Sequence, residues 1–513
     1  MSMKMKFIYS LFTIFCILHF SGYSLLAASS STTKGKLAET FIPIWKQEPG
    51  VTFFKNSIAI SPDKAHVTYV IKENEDFIVC VDGKPQKKWK KVVAGTPIFS
   101  GEKNRVAYIA ADDKKAYVVV DGKSGPAFDH IWDVSFSPDG KHFAYPAVIG
   151  TGNKKKVYFV INHRVIGKAV FGITQFKFSP DSRNLVYVAL LEDGKWHTIL
   201  NNKVLPGYDF IESITFSPNS KRLVYTAKEK DTKYIVLDGK KLKFSGVQIG
   251  MSTFSPDSSR FAYALFNKDI QCWEVVVDGK KIDAMKKPFG FKFSPDSKQF
   301  AFQGGESSQQ LSMHINGVRS NVYSGCSDPF FSPDSKKVVY FAKEDEGWFM
   351  VVNGKKGRVY EEIFPPVFNE KFGHMAYRVK IDDNRMRVMS NEKAGDVFDS
   401  VGTPFFSKDG KKLAYVVTNN GKWFFMINGQ KYGKEYEAIG TAKFSDDGEH
   451  FVYTALKPDG LWRLVIDGHE TIASFNQAIP GAEIVFLKQN KISLLIVKIE
   501  GDITRMFRLE VAI

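Results

Sequence analysis

Residues 136–145 read Phe-Ser-Pro-Asp-Gly-Lys-His-Phe-Ala-Tyr, and this stretch decides the fold. The motif Ser-Pro-Asp-Gly at 137–140 is followed closely by the apolar run that begins at Phe143. Proline fixes the φ angle that suits the second position of a type I turn, and the serine and aspartate side chains bond to the local backbone. The stretch therefore predicts a tight turn that leads into a β-strand.

The same motif recurs along the chain with a period of about 38 residues, which is the range of solenoids, propellers and arrays. A twelfth, eroded copy is centred near Leu487. The serine of the motif, or its equivalent, falls at Ser61, Ser100, Ser137, Ser179, Ser217, Ser255, Ser294, Ser332, Asn369, Ser407 and Ser445.

Each repeat contains three short β-rich runs and a weaker fourth one, separated by turn residues. Asp-Gly or Asn-Gly follows the third run, as at Asp278-Gly279 and Asn428-Gly429. This dipeptide is the strongest short hairpin signal because a type I′ turn needs positive φ angles. No 3.6-residue apolar period appears within a repeat, which excludes helical solenoids. Four antiparallel strands in about 40 residues describe one blade of an all-β propeller.

Aromatic residues recur at two repeat positions, and we expect both columns to pack between neighbouring sheets. The alternative, a ladder of rings for sugars or bases, would imply a linear array of sites. The second-strand column is Tyr69, Tyr108, Tyr145, Tyr187, Tyr225, Tyr263, Phe302, Tyr340, Tyr377, Tyr415 and Tyr453. The third-strand column is Trp196, Trp273, Trp348, Trp423 and Trp462, with Phe77, Tyr117, Tyr158 and Tyr234 in other copies.

Twelve blades exceed the usual size of a propeller, which is roughly four to eight blades. The sequence therefore favours two tandem six-bladed propellers, over residues 51–287 and 288–513. The alternative is one large closed ring, because no linker interrupts the repeat between the two halves. The last copy supplies only three strands, and Val51–Phe54 is expected to complete it as a fourth strand, which leaves no open sheet edge.

The N-terminus has the pattern of a secretory leader. A basic start at Lys4 and Lys6 precedes an apolar run that ends in small residues near Ala28. This pattern predicts a signal peptide over residues 1–28, followed by a linker over residues 29–50. The alternative is an uncleaved membrane anchor, since the apolar run is long enough to span a bilayer. Either way we expect a periplasmic or secreted protein.

The composition indicates an ordinary soluble surface and no cofactor or metal site. The 513 residues carry a formal charge of +16, which favours anionic partners. The lysines are spread over the repeats, so we expect a solvated surface rather than a nucleic-acid face. Outside the leader, Cys80, Cys272 and Cys326 form neither a disulfide framework nor a Cys-x-x-Cys motif. Buried thiols are expected, with a single disulfide bridge as the alternative.

The stretch at 136–145 closely resembles the TolB-type propeller repeat, a relative of WD-type repeats, and the resemblance extends from about residue 50 to the C-terminus. It implies a periplasmic or secreted propeller that serves as a platform for protein interactions. TolB proteins carry an α/β domain before the propeller, and prolyl-oligopeptidase-type enzymes add an α/β-hydrolase domain. Neither is expected here, because the repeats begin near Gly50 and no Gly-x-Ser-x-Gly motif is present.

Candidate site residues are the places where the copies differ at the channel mouth. Trp132, Asp133, Glu212 and Asp328 stand where most copies have small or neutral residues. Acidic groups there would receive a cation or a basic peptide segment, and the alternative is that they are solvated loop carboxylates. No pair of these residues has the sequence context of a general acid and base.

The sequence favours an exported, non-enzymatic propeller that binds a protein or peptide on its face. The first alternative is an exported lyase or hydrolase acting on acidic glycans, which the basic charge would suit. The second is a surface attachment module. Membrane contact is expected only through an uncleaved leader.

Overall fold

Antiparallel β-strands make up nearly all of the regular structure. The computed structural model describes residues 37–513 except 231, 243–245, 372 and 489, and the predicted signal peptide lies outside the described residues. Within the described part, the helical structure is one 3-10 turn at Gly152–Lys154. No helix there is long and apolar enough to cross a bilayer.

The strands form twelve sheets, which we number as blades 1–12 in chain order, with strands one to four running from the centre outwards. Several first strands are split into two pieces by a bulge. Blade 1 consists of Val51–Ile60, Val67–Glu73, Asp76–Val81 and Lys84–Trp89, and blade 2 of Lys91–Val92 with Ile98–Phe99, Val106–Ala111, Ala116–Val120 and Lys123–Ser124. Blade 3 consists of His130–Ile131 with Ser135–Phe136, Phe143–Ile149, Lys156–Ile161 and Arg164–Val170, and blade 4 of Gly172–Phe178, Leu185–Leu190, Trp196–Leu200 and Lys203–Tyr208.

Blades 5–8 repeat this plan. Blade 5 consists of Phe210–Phe216, Leu223–Glu229, Thr232–Leu237 and Lys240–Lys241, and blade 6 of Gly246–Phe254, Phe261–Asn267, Cys272–Val277 and Lys280–Met285. Blade 7 consists of Lys287–Phe293, Phe300–Ser307, Gln310–Ile315 and Val318–Arg319, and blade 8 of Gly325–Cys326 with Phe330–Phe331, Val338–Glu344, Gly347–Val352 and Lys355–Tyr360.

Blades 9–12 complete the molecule, and the last of them takes its fourth strand from the N-terminus. Blade 9 consists of Glu362–Ile363 with Val367–Phe368, Met375–Asp382, Arg385–Ser390 and Lys393–Phe398, and blade 10 of Ser400–Val401 with Phe405–Phe406, Leu413–Asn419, Lys422–Ile427 and Gln430–Tyr436. Blade 11 consists of Ala438–Phe444, Phe451–Leu456, Trp462–Ile466 and His469–Phe475, and blade 12 of Gln477–Ala478 with Val485–Leu487, Lys491–Glu500, Ile503–Ala512 and Glu39–Lys46.

The all-β propeller predicted from the repeats is confirmed, and its twelve blades form one ring. An apolar cluster fills the gap between each pair of consecutive blades. Between blades 6 and 7, Val275 packs with Phe293 and Phe300. Between blades 12 and 1, Leu495 packs with Tyr69. Two six-bladed rings would instead pair blade 1 with blade 6, so the arrangement is the single closed ring rather than the preferred tandem one.

A hydrogen bond between successive turns shows why no boundary appears at residues 287 and 288. The backbone N–H of Asp181 donates to Ser220 Oγ of the next blade (3.0 Å). The same bond joins blade 6 to blade 7, where the Asp257 N–H donates to Ser297 Oγ (3.0 Å). Because the joint between blades 6 and 7 has the same hydrogen bond as the joint between blades 4 and 5, the ring is continuous there.

The ring closes with a different segment from the one expected. Val51–Phe54 belongs to the first strand of blade 1, and the missing strand of blade 12 is Glu39–Lys46, which pairs antiparallel with Ile503–Ala512. The predicted linker over residues 29–50 therefore contains a strand. Proline is tolerated in such a strand because every second amide of an outer edge strand faces away from the sheet and has no partner to lose.

The second-strand aromatic column is core, as predicted, and every one of its rings is buried. The aromatic residues of the third strands occupy two different positions rather than one. Trp196 pairs with Leu190, three residues after Tyr187, whereas Tyr117 pairs with Ala110, two residues after Tyr108. A register difference of one residue places the two rings on opposite faces of their sheets. Grouping them as one column was therefore wrong.

Candidate binding face

The ring has two faces that differ in what they carry. The entry face holds the beginnings of the first strands and the hairpins between second and third strands, and the exit face holds the Ser-Pro-Asp turns. Trp132 and Asp133 lie between the two pieces of the first strand of blade 3. Glu212 lies in the first strand of blade 5, and Asp328 lies between the pieces of blade 8.

The three predicted acidic residues have separate local partners. Asp133 Oδ1 accepts a hydrogen bond from the N–H of Val134 (2.8 Å), and Glu212 pairs with Lys233 (2.7 Å). Asp328 Oδ1 accepts from the Gln303 amide of the preceding blade (2.7 Å). In the contacts of the described residues, none of these carboxylates touches another. The structure therefore does not bring them together as one site, and their role in binding stays a prediction.

Other first-strand positions carry neutral, basic or acidic residues, and Glu362 in blade 9 is a further acid. Two residues before the motif serine, lysines stand in blades 4, 7 and 11. Small neutral residues such as Thr403 and Thr441 occupy the position that holds Asp133 in blade 3 and Asp328 in blade 8. The three lysines are Lys177, Lys292 and Lys443.

Trp132 is the predicted residue with the clearest signature of a contact site. Its side chain is 42% exposed, although tryptophan is usually well buried. His130 meets the indole edge-on at 5.5 Å, and the Lys155 ammonium lies 5.1 Å from the ring centroid. These contacts hold the ring at the surface, where its apolar area is available to a partner.

Phe171 and Phe210 extend this apolar surface to the next two blades. Phe171 is 60% exposed and Phe210 is 43% exposed, and each stands at the beginning of a first strand on the entry face. Trp196 supports Phe210 edge-on at 6.4 Å. We call Trp132, Phe171 and Phe210 the aromatic patch. Exposed aromatic groups on three consecutive blades are typical of an interaction site.

Sequence reasoning did not single out the two phenylalanines, although a signal was present. Eight residues before the motif serine, most copies have a polar residue, whereas the fourth copy has Phe171. A comparison of the copies at this position would have identified it.

Basic residues adjoin the aromatic patch. Lys154, Lys155 and Lys156 are exposed at the hairpin between the second and third strands of blade 3. No ion pair among the described residues involves any of the three. The patch therefore combines exposed rings with uncompensated positive charge.

A serine, a histidine and an aspartate are aligned at the joint between blades 6 and 7. Ser312 Oγ lies 3.0 Å from His314 Nε2, and His314 Nδ1 lies 2.6 Å from Asp283 Oδ2. This is the order of a nucleophile, a base and an orienting group. However, Ser312 is 0% exposed and His314 is 1% exposed, and Ser312 Oγ already donates to the Gly304 carbonyl (3.2 Å). The trio holds two blades together and is closed to a substrate.

The three described cysteines are free thiols, so the alternative of a disulfide bridge is not observed. Burial raises the pKa of Cys80 to about 11 and that of Cys326 to about 12. Thiols with such pKa values are protonated at neutral pH and are poor nucleophiles and metal ligands. Among the described residues, no group of three histidine, cysteine or acidic side chains is placed to hold a metal ion.

No family model and no curated protein matches this chain. Solved structures that are similar to it include other β-propeller proteins. A eukaryotic initiation factor matches 72% of this chain and 96% of its own, at 13% identity and a TM-score of 0.34. The β-propeller domain of the Trilobed protease from Pyrococcus furiosus matches 58% and 94%, at 15% identity and a TM-score of 0.25. TolB from Acinetobacter baumannii matches 50% and 81%, at 16% identity and a TM-score of 0.22.

Proposed function

We propose that this chain is an exported, non-enzymatic propeller of the TolB type that binds a protein or peptide partner on its entry face. The aromatic patch beside Lys154, Lys155 and Lys156 carries the proposal. Tryptophan and phenylalanine supply most of the binding free energy at many interfaces, and surrounding lysines steer a partner of opposite charge. The partner surface is therefore apolar at its centre and acidic around it.

Capture from a cell-envelope extract tests the binding proposal. The triple variant Trp132→Ala, Phe171→Ala, Phe210→Ala removes the rings. We expect it to capture at least tenfold less partner than the unaltered chain does. The matched control is Val318→Ala with Ile472→Ala, because these side chains are 72% and 66% exposed on fourth strands far from the patch. The control is expected to capture as much partner as the unaltered chain.

Two results would contradict the binding proposal. Equal capture by the triple variant and the control would show that the aromatic patch is not the interface. Recovery of glycan fragments alone would favour the alternative of an enzyme or attachment module for acidic glycans.

The leader pattern supports export. Because small residues end near Ala28, we expect the mature chain to begin at about Ser29. Mass spectrometry of the purified full-length product measures its N-terminus directly. A chain that retains Met1 in the membrane fraction would support the uncleaved anchor instead.

A further inference from the structure

A cavity of about 310 Å³ lies between blades 12 and 1, where the ring closes. We call it the seam cavity. Its size is at the lower end of the range for small-molecule sites, about 300–1,000 Å³. Its walls are mostly apolar, and its main lining side chains are Trp45, Phe53, Ile58, Ile479, Val497 and Met506.

The cavity exists because blade 12 lacks a ring that several other blades have. Trp462 pairs with Leu456 in blade 11 and packs toward the following blade, and Met506 pairs with Val497 at the equivalent place in blade 12. A thioether side chain fills less of the wedge than an indole does. Trp45 of the closing strand, Glu39–Lys46, pairs with Met506 on the same sheet. Its ring stacks on Phe53 of blade 1, with centroids 4.7 Å apart and planes at 29°.

Polar groups stand at the edge of this apolar space. Lys55, Gln47, Gln477 and Thr504 also line the cavity, and Lys55 is the one charged side chain among the lining residues. Lys55 is exposed and takes part in no ion pair within the described part of the chain. Gln47 Oε1 accepts from the N–H of Thr504 (3.3 Å), which leaves its amide hydrogens free to donate. The opening thus offers the Gln47 amide as a donor beside the positive charge of Lys55.

We propose that the seam cavity binds a small planar aromatic carboxylate. The stacked wall of Trp45 and Phe53 accommodates a flat ring, and Lys55 pairs with the carboxylate at the opening. The site lies at the joint between blades 12 and 1, whereas the aromatic patch lies on blades 3–5, so this inference does not rest on the proposed partner binding. Because Trp45 belongs to the closing strand, a bound ligand also stabilises the closed ring.

Calorimetric titration of the full chain with indole-3-propionate tests the proposal, with neutral indole as the second probe. We expect saturable binding of indole-3-propionate to the unaltered chain. Met506→Trp supplies the ring that blade 11 has at this place, so it should fill the cavity and weaken binding at least tenfold. Its thermal unfolding midpoint should not fall, because the added ring fills empty space.

Lys55→Gln keeps the packing intact and tests the charge. We expect about fivefold weaker binding of indole-3-propionate and unchanged binding of indole, in keeping with a partly exposed ion pair. Lys46→Gln, an exposed lysine outside the cavity lining, is the matched control and should change neither affinity.

The proposal is overturned if indole-3-propionate shows no saturable binding, or if it binds Met506→Trp as tightly as the unaltered chain. Equal losses for Lys55→Gln and Lys46→Gln would also overturn it, since they would indicate non-specific charge attraction. The variant of the aromatic patch should retain indole-3-propionate binding, and Met506→Trp should retain partner capture. Failure of one proposal can therefore be told from failure of the other.

Discussion

In eight of the repeats, a buried serine donates a hydrogen bond to an aspartate two residues later. Ser255 is fully buried, its hydroxyl donates to Asp257 Oδ1 (2.6 Å), and the same carboxylate oxygen accepts from the N–H of Ser259 (3.0 Å). These hydrogen bonds, led by that of Ser255, hold the pKa of Asp257 below its usual range. The pattern recurs at Asp139 and Asp409. The repeated motif thus supplies a structural hydrogen bond that is also sensitive to acid.

The turn aspartates predict loss of stability in acid. A carboxyl group whose pKa is lower in the folded state stabilises the fold above its unfolded pKa of about 3.9, and that stabilisation is lost as pH falls through the folded value. We expect the free energy of unfolding to fall below about pH 4, and to fall less steeply in Asp257→Asn. Urea unfolding at a series of pH values measures this.

Blade 5 shows that the asparagine variant can fold, because Asn219 naturally takes this place and accepts from Ser217 Oγ (2.9 Å). Asp269→Asn, in an exposed hairpin of blade 6, which also contains Asp257, controls for the removal of one negative charge. An identical pH dependence in Asp257→Asn and in the unaltered chain would contradict the prediction.

At the scale of single residues, the sequence predicts the geometry of local turns. The hairpin expected at Asp278-Gly279 is present, with φ angles of +52° and +78° at the two residues. The bond from the Asn219 N–H to Ser258 Oγ in the next blade was not foreseen. A serine three residues after the start of the motif indicates only a turn exit in the sequence, and its acceptor role depends on how the blades stack.

Among the strands, the closing strand is the one whose place the sequence did not reveal. The partner strand of Glu39–Lys46 lies at the other end of the chain. Strand pairing over such a separation leaves no local pattern to read. The blades themselves were predictable, because each of them pairs neighbouring segments through short turns.

The carboxylate of Glu39 fastens the closing strand to blade 11. Its two oxygens accept the backbone N–H groups of Ile472 and Ala473, at 2.7 and 2.5 Å. We expect Glu39→Ala to lower the free energy of unfolding by about 1–3 kcal/mol, because two amides lose a charged acceptor. Urea unfolding measures the loss. Glu48→Ala, in the following exposed turn, should change stability by less than about 0.5 kcal/mol, and equal effects would contradict the assignment.

At the scale of the whole molecule, the number of blades sets the size of the centre. With neighbouring sheets about 10 Å apart, twelve blades place the first strands on a circle of roughly 15–20 Å radius. Residues on blades 3, 5 and 8 are then too far apart to act on one small substrate. This separates Trp132, Glu212 and Asp328 from one another.

The single ring can be seen directly. Class averages from electron microscopy of the full chain should show one ring with twelve lobes. Residues 51–287 and 288–513 expressed separately should give no cooperative unfolding transition, because each half leaves an apolar cluster open at both ends. Two compact six-lobed bodies, or halves that unfold cooperatively, would contradict the single ring.

The closing strand can pair only after the C-terminal strands have been synthesised. Glu39 is 433 residues ahead of Ile472, whose amide it accepts. At a synthesis rate of about 5–20 residues per second, the strand waits roughly 20–90 s for its partner to be made. Throughout that time its backbone groups bond only to water and are open to pairing with the wrong blade or with another chain. A cell that makes this protein must therefore keep the nascent N-terminal segment from pairing until the last strand has been made.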